Sequence, residues 1–136
     1  MSLIVFDTSV LVNDLRTGKY EARIQNVPGL VRLSSVVLAE LWRGASSARE
    51  RKLLVRMARN QTVLTPTETN WLESGEILSR MRTEIGFSVE KMRDLHFDVL
   101  IALTARSHGA RLIASNRADF EAIHRFRKFD LEIWTA

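Results

Sequence analysis

Five short apolar runs, alternating with longer stretches of helical spacing, constrain this chain more than any other feature of its sequence. Leu3-Ile4-Val5-Phe6 is apolar throughout and breaks into Asp7-Thr8-Ser9, the pattern of a strand buried on both faces that stops at a helix-initiating turn. Val31-Arg32-Leu33, Thr62-Val63-Leu64, Arg111-Leu112-Ile113-Ala114 and Leu131-Glu132-Ile133-Trp134 are four more strand candidates. Between them, Ser47 with Glu50 three residues on predicts one helix start, and Thr65 with Pro66 and Glu68 predicts another. The second of these helices carries Trp71, Leu72, Leu78, Met81 and Ile85 at helical intervals before Gly86 offers a stop. Residues 97–105 are almost all apolar and run on to His108-Gly109, which predicts a helix inside the molecule. Asp98 stands at its beginning or, if Asp94 is the cap, in its second turn. Strands alternating with helices imply an α/β chain: a parallel sheet with helices on both faces, joined by right-handed crossovers.

At 136 residues, 46% of them apolar, the chain has material for one cored domain, taken as residues 1–136, and no room for a second. Its apolar stretches fall far short of the ~20 residues that span a bilayer, so neither a membrane span nor a signal peptide is expected. The absence of cysteine excludes disulfides, thiolate metal sites and a cysteine nucleophile, and it suits a reducing cytoplasm. Any metal must then be held by oxygen or imidazole. Of the 20 basic residues only Lys19, Lys52, Lys91 and Lys128 are lysines. Arginine in excess suits bidentate grips on phosphate as well as ordinary surface ion pairs, and the net charge of +4 is compatible with a nucleic-acid partner without requiring one.

In a parallel sheet of this kind, function gathers where the carboxyl ends of strands meet the following helices. Asp7 leaves the first strand there, in a position that also suits a helix N-cap. Glu40 lies in an apolar helix start after the second strand, with Arg43 available as an ion-pair partner one turn on. Asp98 opens an apolar run in which an unpartnered carboxylate is costly to bury, unless a helix dipole compensates it. Asn116 and Asp119 follow the fourth strand, as a turn and a first-turn acid would. Each has a structural explanation alone, but four such junctions amount to one convergent pocket. Carboxylates crowded to ~4 Å repel by about 4 kcal/mol per pair at an effective dielectric near 20, and Mg²⁺ or Mn²⁺ is the natural neutraliser. Around them, Thr8 and Ser9 can cap a helix or orient a bound water, and Arg43, Arg93 and Arg117 can reach phosphates or pair with neighbouring acids. His96 is the histidine expected nearest the acids, whereas Trp42 and Trp71 suit core or dimer packing.

These residues resemble the PIN domain family, and within it the VapC-type toxins, along the whole chain. Asp7-Thr8-Ser9 is similar to the family's opening motif, residues 35–44 with Glu40 to its second, and Phe97-Asp98-Val99-Leu100-Ile101-Ala102 to its third. Asn116-Arg117-Ala118-Asp119-Phe120 is similar to the closing signature, although Ala114 stands where members commonly carry a hydroxyl, with Ser115 beside it. The resemblance implies a three-layer α/β/α fold around a five-stranded parallel sheet of order 3-2-1-4-5. It also implies an Mg²⁺- or Mn²⁺-dependent endoribonuclease cleaving single-stranded or loop RNA, with Asp7, Glu40, Asp98 and Asp119 at metal and phosphate. Thr8, Ser9, Arg43, Asn116 and Arg117 would serve the substrate. The implied partners are a VapB-type antitoxin that blocks the groove, in a hetero-oligomer, and a second copy in a homodimer. The alternative within the same fold is a catalytically inactive module that binds RNA or protein. An aspartyl-nucleophile phosphatase would need an acid where Ser9 stands, and a receiver domain needs paired acids and a lysine that are not at the required positions.

Overall fold

The structure, a computed structural model, describes residues 2–135. Strands β1 (Leu3–Phe6), β2 (Leu30–Ser34), β3 (Val63–Leu64), β4 (Arg111–Ala114) and β5 (Leu131–Ile133) form an all-parallel sheet in the order β3-β2-β1-β4-β5. Seven helices connect them among the described residues: α1 (Thr8–Thr17), α2 (Glu21–Gln25), α3 (Ser35–Gly44), α4 (Ala48–Asn60), α5 (Glu68–Glu84), α6 (Val89–Ser107) and α7 (Arg117–Phe126). The sheet order is the one the family resemblance implies.

β1, the central strand, is apolar at every position, and both of its faces are covered. Successive side chains of a strand point to opposite sides. Ile4 and Phe6, with Ile113 of β4, therefore pack against Val10, Tyr20 and Trp134 on the face closed by α1 and α2. Val5, Leu112 and Ala114 face the larger core built by α3, α5, α6 and α7. α6 runs through that core: Leu95 and every residue from 99 to 105 are buried. Each buried Leu or Ile in it contributes roughly 1.5–3 kcal/mol of apolar transfer. Where the chain turns into β2, Gly29 passes so close to β1 that a Cβ there would sit 2.6 Å from the Ser2 carbonyl oxygen. Only glycine fits this approach.

Two helix starts differ from the sequence reading. α5 begins at Glu68, not after Thr65: Thr67 is the cap, and it exchanges hydrogen bonds with Asn70 in a reciprocal box. Asn70 wins the role because its amide also donates to Ser107 Oγ at 2.9 Å, tying the start of α5 to the end of α6. α6 begins at Val89 under a Ser88 cap, so neither Asp94 nor Asp98 caps it. Asp98 consequently sits in the third turn, beyond the reach of the helix N-terminal dipole as a compensating charge. The Ser47 start of α4 stands as read, with Ser47 Oγ accepting from the Glu50 amide.

Candidate active site

The end of β1 is locked before any side chain is considered. The Asp7 amide donates to the Ile113 carbonyl at 2.8 Å, extending the β1–β4 ladder by one step. Asp7 then caps α1: its Oδ2 accepts from the Ser9 amide at 3.1 Å and the Ser9 hydroxyl at 2.6 Å. The same Ser9 oxygen accepts from the Ser115 amide at 3.1 Å, so one hydroxyl ties the carboxyl ends of β1 and β4 together. Thr8, next door, donates to Glu40 Oε1 at 2.8 Å and thereby brings α3 to the same place. The cap reading and the pocket reading of Asp7 are both true.

Burial and crowding act together on the acids. Asp7 is 3% exposed, its Oδ1 is buried with no partner, and burial raises its pKa against the Ser9 hydrogen bonds. Glu40 is also raised, first by burial and further by the Asp7 charge, while Thr8 and Arg43 oppose the rise. Burial pushes the Asp98 carboxyl up to about 8, assisted by the charges of Asp7, Glu40 and Asp119 and opposed by Lys91. Each of these acids thus feels at least one other acid across 21 to 112 residues of sequence. Among the described residues, no three His, Asp or Glu side chains stand close enough to enclose one ion as they lie.

Asp119, in the first turn of α7, is held differently. Lys91 Nζ donates to its Oδ1 at 2.7 Å and Asn116 Nδ2 to its Oδ2 at 2.8 Å, so both oxygens have donors. Lys91 is the residue that sequence reasoning missed here. Its one signal was the seven-residue spacing from Asp98, which puts both on one face of α6.

Other candidates lie elsewhere. Arg117 pairs with Glu121 at 2.9 Å on the exposed side of α7. Arg43 stacks its guanidinium 5.5 Å from the Phe97 ring and influences Glu40 only by its charge. His96, the histidine expected nearest the acids, turns its ring to α5: its Nε2 meets Ser74 Oγ at 3.1 Å and its ring packs edge-on to Trp71. Trp42 and Trp71 are 41% and 50% exposed, which removes the core reading of both. Beside Glu40 opens a groove of about 800 Å³ between α1, α3 and α4, with Val12 and Leu53 in its floor and Arg16, Arg49 and Arg56 on its rim.

The family model described as PIN domain matches residues 4–125, nearly the whole chain and all four acids. The chain belongs to the PIN domain family. Solved structures resemble this PIN domain in fold. VapBC2 from Rickettsia felis bound to a DNA fragment from their promoter shares 20% identity at a TM-score of 0.74, over 98% of this chain and 99% of that one. DNA-bound VapBC from Salmonella typhimurium shares 21% at 0.74, over 99% and 100%. VapBC-5 from Mycobacterium tuberculosis, from the VapBC family of toxin–antitoxin systems, shares 23% at 0.62, over the full length of both chains. No curated protein matches the chain by sequence.

Proposed function

We propose that this PIN domain is a metal-dependent endoribonuclease and the toxin of a VapBC-type toxin–antitoxin pair. The observation that carries the reading is the buried Asp7 carboxylate: one oxygen is held by Ser9, the other is unpartnered, and Glu40, Asp98 and Asp119 crowd their charge around it. An all-oxygen donor set with an orphaned buried atom fits a hard divalent cation such as Mg²⁺ or Mn²⁺. Asp7, Glu40 and Asp98 would hold it, with Asp119 in support. Bound there, the cation supplies charge neutralisation for a phosphodiester and a water of lowered pKa.

The chain's own residues supply positioning. Ser9 fixes the Asp7 carboxylate through two hydrogen bonds and Thr8 fixes Glu40 through one. Without a cation, Asp98 holds a proton on its carboxyl near neutral pH and releases it as positive charge arrives. Asn116, exposed at the start of α7, and Arg43 stand where flanking RNA can meet them, whereas Arg117 would first have to leave Glu121.

The partner assignments rest on the family and on surface chemistry. The groove beside Glu40, apolar in its floor and basic on its rim, fits a segment of a VapB-type antitoxin that blocks access to the acids. Trp71 and Leu72, consecutive and exposed on α5, suit the interface of a homodimer. No described helix is long and apolar enough to cross a membrane, and the proposed site of action is the cytoplasm. The test is a panel of end-labelled RNAs incubated with Mg²⁺, Mn²⁺ or EDTA. Cleavage that needs the cation and vanishes in Asp7→Asn and Asp98→Asn supports the nuclease. Retention of RNA without products in every condition establishes the binding-only alternative, which the present spread of the acids keeps in view.

A further inference from the structure

The four acids do not present their oxygens alike. Asp7 Oδ1 is buried and unpartnered, and among the described residues no hydrogen bond supports the Asp98 carboxyl. Asp119 has a donor on each oxygen, an ammonium on one and an amide on the other. The ammonium comes from the first turn of α6 and the carboxylate from the first turn of α7, so the pair joins two helix starts 28 residues apart in sequence. Lys91 and Asp119 side chains are 38% and 21% exposed, enough for the lysine to be reached from solvent.

We propose that Lys91 is a substrate-binding cation, which grips an RNA phosphate at the rim of the acidic pocket, and that Asp119 is the positioning residue that holds it there. The inference deepens the nuclease reading above and rests on it. A lysine ammonium carries three donors, and Asp119 takes one, leaving two for phosphate oxygens. The charge also has a task. Four carboxylates in one place repel a polyanionic strand, and one dication halves that charge without cancelling it. Lys91 is the cation whose charge reaches Asp98, while Arg43 acts on Glu40 from α3. An acid already committed to a lysine and an amide is poorly placed to serve as a primary metal ligand. Asp7, Glu40 and Asp98 would then form the metal set, and the Lys91–Asp119 pair would form the adjoining phosphate seat.

Two binding measurements test this without relying on turnover. The first is the affinity of a mixed-sequence, single-stranded oligoribonucleotide in EDTA, followed by fluorescence anisotropy across a salt series. Lys91→Gln is expected to weaken binding about fivefold and to flatten the slope of log affinity against log salt by about 0.7, the signature of one lost phosphate contact on a single strand. Lys91→Arg, which keeps a cation on the same helix face, is expected to restore the slope. The second is Mn²⁺ affinity by calorimetry: Asp98→Asn loses at least about fiftyfold, Asp119→Asn less than about fivefold, and Lys91→Gln gains slightly because a repelling charge is gone. A native salt slope in Lys91→Gln, or a Mn²⁺ loss in Asp119→Asn equal to that in Asp98→Asn, overturns the assignment. A native protein that takes up no Mn²⁺ and cuts no RNA defeats the nuclease reading instead, and the slope in EDTA still decides the lysine.

Discussion

Asp98→Asn should make the metal-free protein more stable at alkaline pH, although it removes a residue assigned to function. The carboxyl lies inside the helical layer and its pKa rises from 3.8 to about 8. A rise of that size corresponds to roughly 6 kcal/mol at about 1.4 kcal/mol per tenfold. Asp98 is part-exposed and its acidic neighbours can relax or take up protons themselves, so the observable effect is expected at about 2–4 kcal/mol. The sign follows from linkage. A carboxyl whose folded pKa lies above its unfolded value keeps its proton in the folded state, so stability is greatest below about pH 4, falls as pH rises, and levels off above about 8. The variant amide mimics the protonated acid and lacks this decline. In EDTA at pH 8.5 its melting temperature should exceed that of the native chain by about 6–15 °C, and the difference should shrink steadily toward pH 4. Mn²⁺ should reverse the order, because a ligand that binds only the folded native protein stabilises it by mass action. Scanning calorimetry at three pH values, with and without Mn²⁺, measures all of this. If the variant is the less stable protein in EDTA at pH 8.5, the acids are not crowded and the account of the pocket collapses.

Three further substitutions probe the supports of the site and fold. Ser9→Ala removes a 2.6 Å hydrogen bond to Asp7 and leaves the Ser115 amide without its acceptor; a loss of about 1–3 kcal/mol is expected in urea unfolding at pH 7, and an unchanged midpoint would show that Ser9 does not join the strand ends. Thr8→Val frees Glu40 without changing the side chain's shape, so metal-dependent RNA cleavage should fall about 10- to 100-fold while Thr8→Ser retains most of it. Equal rates in all three proteins would remove Thr8 from the positioning scheme. Gly29→Ala places a Cβ against the Ser2 carbonyl and Ile4 and should destabilise by about 1–3 kcal/mol in thermal unfolding; a neutral result would mean that the β1–β2 approach is looser than it stands.

The parts of this fold that could be read from the sequence are those where burial leaves one solution. β1 and β4 were legible to the residue because three consecutive positions of each are buried, as the apolar runs Ile4-Val5-Phe6 and Leu112-Ile113-Ala114 indicate. β2 was read short because Arg32 interrupts it and Leu30 is exposed. The first turns of α6 were missed for the converse reason: Val89 is 55% exposed and Glu90 and Arg93 face solvent, so the periodicity of the buried turns does not extend back to Ser88. Asp7, Glu40, Asp98 and Asp119 could be named because each stands near a strand end or within an apolar run. Lys91 could not, since its partner is on another helix and only the packing of α6 against α7 brings them together. The partners of His96 were not legible because a helix position near the acids does not say which way a ring turns, and here Ser74 and Trp71 draw it to α5.

The same geometry explains how a pocket of mutually repelling acids can persist. Asp98 is followed at once by the seven buried residues 99–105, and Asp7 is preceded by three buried residues of β1. Both costly carboxylates are therefore anchored at the edge of the buried core, where moving the backbone away would open it. An apolar substitute at position 98 would relieve the repulsion without disturbing that packing, whereas one at position 7 would also strip α1 of its cap and Ser9 of its acceptor. The Asp98 carboxylate is thus not required by the fold, and the stability it forgoes is recovered when positive charge enters the pocket. Lys91 supplies one such charge from within the chain, and it is committed to Asp119, part-exposed at the junction of α6 and α7. The remaining charge deficit lies around Asp7 and Asp98, and that is where an incoming cation would gain most.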